Sequence, residues 1–165
     1  MAMQVRQATI NDLDRIMCVI EAARMIMQEN GNPHQWVNGY PSVEVIQHDI
    51  SEQSGFVLLN EQQQVVAYFA FYQTPDPTYN IIYEGEWLND LPYGVVHRIS
   101  SLPCVHGTFE AVLRFCSCLN SNLRVDTHRD NSIMQHLLIK RGFKYCGIIH
   151  VANGDERLAF QRFLS

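Results

Sequence analysis

Hydrophobic and polar positions along the chain change period several times, and each change predicts an element. Met3 to Ala8 reads as a short strand. Thr9-Ile10-Asn11-Asp12 has a helix-capping form. Leu13, Ile16, Met17 and Ile20 then follow at helical spacing, which predicts an amphipathic helix to about Gln28. Asn30-Gly31-Asn32-Pro33 stops it. Pro41-Ser42 opens a second helix that carries Val43, Ile46 and Ile50 inward and is closed by Gly55. Phe56 to Leu59 and Val65 to Tyr72 are strands joined by the polar turn Glu61-Gln62-Gln63-Gln64. The second run is apolar on both faces, as a central strand covered on both sides should be. Thr74-Pro75-Asp76-Pro77 then opens a long aromatic loop reaching to about Pro92, and long loops in compact domains tend to carry function.

Tyr93 to Ile99 is a further strand, followed by the turn Leu102-Pro103-Cys104-Val105-His106-Gly107. Phe109, Val112, Leu113 and Cys116 mark the helix after it. In the next strand Leu123, Val125 and Thr127 alternate with Arg124, Asp126 and His128, giving two distinct faces. Asp130-Asn131 opens a helix with Met134, Leu137 and Leu138 inward, Lys140 and Arg141 in its last turn and Gly142 beyond. Tyr145 to Val151 and Arg157 to Phe163 are strands joined by an Asn153-Gly154 turn. The order β-α-α-β-β-β-α-β-α-β-β predicts an α/β (α+β) layer with a mixed sheet and excludes a doubly wound one.

Composition narrows the class. The 165 residues suit one domain over 1–165, and 47% hydrophobic content supplies a full core. Seventeen acidic residues against 12 basic leave a net charge of −5, which argues against nucleic acid as the main partner. The chain has no run long enough to span a membrane, and the N-terminal MAMQVRQATINDL lacks a signal peptide's apolar stretch, so a cytoplasmic protein is expected. Cys18, Cys104, Cys116, Cys118 and Cys146 include no CxxC pair and read as buried small hydrophobes. Cys116 and Cys118 fall at positions of a helix that point apart, so they do not share a metal. His97, His106, His128, His136 and His150 form neither a helical H-x-x-x-H nor a Cys/His cluster, and no metal is expected. The glycine-serine elbow of hydrolases and the glycine-lysine phosphate loop are both missing.

The most informative stretch is the strand, turn and helix from Val95 to Leu119. A glycine turn into a helix N-terminus exposes unpaired N–H groups at the positive end of the dipole, which suits a phosphate. The element order, with His97-Arg98-Ile99-Ser100-Ser101 before that turn, resembles the GNAT superfamily of N-acetyltransferases. Arg124 to Asn131, followed by Leu137-Leu138-Ile139-Lys140-Arg141-Gly142-Phe143, is similar to the family's strand, Asn-initiated helix and Gly-Phe ending. Trp36 and Tyr40-Pro41-Ser42 at the front also resemble bacterial members. The resemblance covers nearly the whole chain.

That resemblance implies a mixed, mostly antiparallel sheet of about seven strands with about four helices, its central strands splayed apart. It implies acetyl-CoA as cosubstrate and no metal. The pantetheine arm would lie along Ile99, Ser100 and Ser101, and the pyrophosphate on His106, Gly107, Thr108 and Phe109, with Asn131 in the cofactor site. An amine acceptor, on a small molecule or a peptide, would attack the thioester directly. Two departures matter. The family's R/Q-x-x-G-x-G/A loop is here about two residues short, keeps only Gly107, has His106 as the nearest basic residue, and puts Phe109 where a small residue is expected. Leu138 stands where many members carry a tyrosine acid.

For the general base, His97 lies beside the expected acetyl site, and histidine suits neutral pH. His128 and Asp126 share a strand face. Glu86 and Glu84 sit near Trp87, where partial burial would raise a carboxyl pKa. Each also has a plainer reading, as a packed or solvated residue, and Asn131 also reads as a helix cap. Trp36 and Tyr40 read as an acceptor wall or as a staple between helices. The expected activity is acetyl transfer to an amine. The alternatives are a non-catalytic CoA- or effector-binding module and a scaffold closed by Phe109 that works by dimerising. A homodimer is open in every case.

Overall fold

The computed structural model describes residues 3–165. Its elements, in chain order, are β1 (Gln4–Gln7), α1 (Leu13–Glu29), α2 (Val43–Ser51), β2 (Gly55–Leu59), β3 (Val65–Tyr72), β4 (Gly94–Ser101), α3 (Thr108–Leu119), β5 (Asn122–Thr127), α4 (Ser132–Lys140), β6 (Lys144–His150) and β7 (Glu156–Phe163). They match the predicted order, with boundaries moved by a residue or two except at the end of α2. One seven-stranded sheet runs β1-β2-β3-β4-β5-β7-β6. Every pairing in it is antiparallel except β4 with β5.

The helix caps follow local chemistry. Thr9 N–H donates to the Asp12 carboxylate at 2.8 Å, and Arg6 grips the same carboxylate with both ends of its guanidinium. Ser42 Oγ accepts Val45 N–H at the start of α2. Gly55, expected to close α2, instead opens β2. The helix ends at Ser51, and Gln53 takes the left-handed turn at φ 58°. A Cβ on Gly55 would press on the Tyr68 hydroxyl, 3.0 Å away.

One core packs α3 and α4 against Phe69, Phe71, Leu123 and Phe160, and a second packs α1 and α2 against Val57, Leu59 and Tyr68. β3 is therefore covered on both faces, as its composition predicts. Of the five cysteines only Cys116 and Cys146 are buried. Cys18, Cys104 and Cys118 are exposed, because they fall on outward positions of helices or on the turn before α3. Among the described residues no helix is long and apolar enough to cross a membrane.

The loop from Gln73 to Tyr93 packs down on the sheet. It contains a 3-10 turn (Pro77–Tyr79) and a bridge from Tyr83 to Ile148 of β6. Tyr79, Val95, Ile149 and Ala159 form a third core beneath it. Arg124 stacks between the Trp87 and Tyr93 rings, 4.0 Å from each centroid. At Arg124 and Asp126 this face of β5 is thus roofed by the loop rather than solvated.

Candidate active site

β4 and β5 pair only at Gly94 with Leu123 and at Val95 with Arg124. Beyond Val95 they part, and β4 gains an extra residue. Ala70 lies opposite His97 and Tyr68 opposite Ser100, so a bulge falls between them, with Arg98 at φ 56°. Arg98 is held there from behind. Its guanidinium donates to both oxygens of the fully buried Asp49, at 2.9 and 2.6 Å, and to the Tyr40 hydroxyl at 2.8 Å. The Tyr68 and Tyr72 hydroxyls donate to the same carboxylate. Burial and that negative charge push both phenols far above their ordinary range.

Two cavities occupy the gap, of about 500 and 480 Å³, and Met27, Ile99, Asn131 and Met134 line both. The second is walled by all eight predicted cofactor residues: Ile99, Ser100, Ser101, His106, Gly107, Thr108, Phe109 and Asn131. Gly107, at φ 83°, turns the chain into α3. Ala111 is the first residue whose N–H bonds back along the helix, to Gly107 O at 3.0 Å, so the N–H groups before it have no helical partner. Phe109 turns its ring into the core and leaves the cavity open. Asn131 caps α4 through Met134 N–H and donates its amide to Gln35. Thr108 Oγ1 and Asn32 Oδ1, on this wall, are buried without a hydrogen-bond partner, as groups awaiting a ligand would be. His106 is the one lining residue able to carry positive charge, and Glu110 is paired with Arg141 at 2.6 Å. These residues fit a phosphate-bearing ligand that is held by N–H groups rather than by ion pairs. Among the described residues no cluster of three His, Cys, Asp or Glu side chains is arranged to hold a metal.

The first cavity contains His97. Its Nε2 lies 3.0 Å from the Asp76 carboxylate of the loop. Burial opposes ionisation of Asp76, but hydrogen bonds from His97 and Thr78 outweigh it and hold the carboxyl at about 2. An ionised carboxylate can only accept, so Nε2 donates to it, and in the neutral ring the lone pair is then on Nδ1. Tyr79 lies with its ring 6.3 Å from the His97 ring and donates its hydroxyl to Asp126 at 2.6 Å. Gln35, from the connection between α1 and α2, crosses the gap. Its side-chain oxygen accepts from Asn131 and Thr127, and its carbonyl from Arg157. Trp36 is both a buried staple and a wall of this cavity.

Two predicted catalytic residues are not brought here. His128 lines neither cavity. Its Nδ1 accepts Asp130 N–H at 3.0 Å, and burial and the charge of Arg157 lower its pKa. Glu86 is exposed on the outer side of the loop and lines neither cavity, as does Glu84. Leu138 is fully buried in the core, and Tyr145 packs its ring on Phe160. Asp76, Asn32, Gln35, Tyr79 and Arg157 are contributors that sequence reading missed. Asp76-Pro77 had a visible turn signal, but nothing in the sequence tied it to His97.

No family model and no curated protein sequence matches the chain. Solved structures do. A GNAT-family acetyltransferase from Streptococcus agalactiae is 33% identical, with 99% of this chain and 96% of that one aligned at a TM-score of 0.88. A GNAT-family acetyltransferase from Listeria monocytogenes is 20% identical over 98% and 95% of the two chains, at 0.73. The PaiA N-acetyltransferase of Thermoplasma acidophilum, solved in complex with coenzyme A, is 15% identical over 99% and 100%, at 0.66. The last two share the fold alone. The first, with the splayed β4 and β5, settles the assignment: the chain belongs to the GNAT family of acetyltransferases.

Proposed function

We propose that this protein moves an acetyl group from acetyl-CoA to a primary amine by direct attack in a ternary complex. The observation that carries the reading is the continuity of the gap. A wall of N–H groups and small polar residues on one side meets a cavity with a histidine base on the other, at Ile99 and Asn131. Acetyl-CoA supplies the thioester when bound. The α3 N-terminus and Gly107 take its phosphates, and the unpaired edge of β4 at Ile99 to Ser101 takes its arm. His97 Nδ1 removes a proton from the acceptor ammonium, and Asp76 stabilises the imidazolium that results. The amine nitrogen then bonds to the acetyl carbon as the C–S bond breaks. The sulfur leaves with the electron pair, and one of the two protons left on nitrogen passes to it while the other stays as the amide N–H. With Leu138 in the tyrosine position, the thiolate departs without a protein acid, as its low basicity allows. The free cysteines agree with the reducing, cytoplasmic setting in which we place the chain.

A non-catalytic coenzyme A-binding module is the second reading, favoured by the scarcity of positive charge in the cofactor cavity and by Leu138. Titration with acetyl-CoA followed by thiol release over a panel of amines separates the two. The transferase reading expects saturable binding and amine-dependent thiol release, and loss of binding in Gly107→Trp. Binding without release from any amine supports the module.

A further inference from the structure

Two charges on the wall of the acceptor cavity have no counterion among the described residues. Asp126 of β5 accepts a hydrogen bond from the Tyr79 hydroxyl and faces no cation within ion-pairing distance. Arg157 of β7 is 7% exposed, and its guanidinium donates to two backbone carbonyls, Gln35 O and Glu156 O, both at 2.9 Å. The carboxylate next to it in sequence, Glu156, is taken by Arg129. Of the other cavity charges, Arg98 is paired with Asp49, and Asp76 is held by hydrogen bonds from His97 and Thr78. A guanidinium withdrawn from water without a carboxylate is costly, and here it borders a space where a ligand can supply one.

The sheet register places the two charges. Asp126 lies opposite Ala159, and Arg157 is two residues before Ala159 on the same strand, so both project from one face as diagonal neighbours. Diagonal pairs stand roughly 7–8 Å apart. A long side chain can span that separation, yet the Arg157 guanidinium turns to the Gln35 and Glu156 carbonyls instead of Asp126, which leaves both charges for one small molecule to meet. Tyr79 links the same spot to His97, since its hydroxyl reaches Asp126 and its ring packs near the imidazole.

Resting on the acetyl-transfer reading, we propose that the acceptor is a small zwitterion, an amino acid with a free α-carboxylate. Arg157 takes the carboxylate through its unused N–H groups, and Asp126 holds the ammonium within reach of His97. The carboxylate of the substrate replaces the missing counterion, and a cavity of about 500 Å³ admits a molecule of that size. A peptide N-terminus presents the amine without the neighbouring carboxylate and leaves Arg157 unpaired.

The test is thiol release from acetyl-CoA with standard L-amino acids, their α-carboxamides and their decarboxylated amines, in the wild type, Arg157→Gln and Arg157→Lys. A charged hydrogen bond of the usual strength predicts a kcat/KM for the best amino acid at least about tenfold above both of its neutral-ended analogues. Arg157→Gln should reduce that ratio to within about twofold, mainly through KM, and Arg157→Lys should restore part of it. Thermal stabilisation of each variant by acetyl-CoA shows that it is folded. Equal or better turnover of the carboxamides overturns the proposal. If no amine is turned over, the transfer reading fails on its own. Thermal stabilisation of the acetyl-CoA-saturated protein by amino acids then decides the site. Stabilisation that needs the carboxylate and Arg157 supports it, and none overturns it.

Discussion

In the proposed mechanism the chemistry of the gap turns on one imidazole and the carboxylate behind it. Asp76 fixes which nitrogen of His97 is free, so the two residues act as a unit whose members come from β4 and from a loop 21 residues earlier. Asp76→Asn can donate to Nε2 and favours the wrong tautomer. It should lower kcat by at least tenfold while leaving acetyl-CoA affinity within about twofold, by steady-state kinetics and calorimetry. The same carboxylate leaves a mark on stability. Its pKa is held at about 2 in the folded chain, below the roughly 3.9 of an unfolded aspartate. A depressed pKa means the unfolded state binds the proton more readily. The stabilisation is therefore complete above about pH 4 and is lost as pH falls toward 2. Urea titrations at stepped pH should show a shallower acid decline in Asp76→Asn than in the wild type.

Among the elements, β4 carries the most consequence for function. Its bulge at Arg98 turns the strand away from β5, and the buried Asp49 of α2 holds the bulge from behind. Asp49→Ala would strand the Arg98 charge and two phenols, and should cost about 3–5 kcal/mol in urea denaturation. The double variant Asp49→Leu with Arg98→Met should cost less than the two single changes added together. The roofing loop depends on close backbone approach. A Cβ on Gly85 would sit 1.9 Å from Cys146 O. Gly85→Ala should lift the loop, expose the Tyr83 and Ile148 amides to hydrogen exchange, and lower activity by releasing Asp76 from His97. Periodicity located every helix and strand, because burial of one face is a local constraint that the chain must write locally. It did not show the bulge, the insertion of β7 between β5 and β6, or the pairing of Asp49 with Arg98. Those arise from contacts across tens of residues. Likewise Gly107 and Asn131 were legible through turn and cap chemistry, whereas the Asp76 to His97 contact required the folded loop. His128 and Glu86 had suitable side chains but were carried elsewhere, one by a hydrogen bond to the next turn and the other by the outward course of its loop.

At the scale of the whole molecule, the sheet is a single body opened along one seam. α1, α2, α3 and the strands up to β4 form one side, and β5 to β7 with α4 form the other. The parallel pairing of β4 and β5 holds them together over two residue pairs, and Gln35 ties them again across the far end. In the proposed reading a cofactor enters beside α3 and an acceptor beneath the roofing loop, and the two meet where Ile99 and Asn131 line both cavities. The proposed direct attack has both substrates present at once. The most direct test is an initial-rate study varying acetyl-CoA against the best acceptor, in the wild type and His97→Gln. Intersecting double-reciprocal lines are expected for the wild type, with kcat lower by about 10²–10⁴ in His97→Gln and acetyl-CoA affinity within twofold. Parallel lines, which signal an acetyl-enzyme, or full activity without His97 would contradict the account.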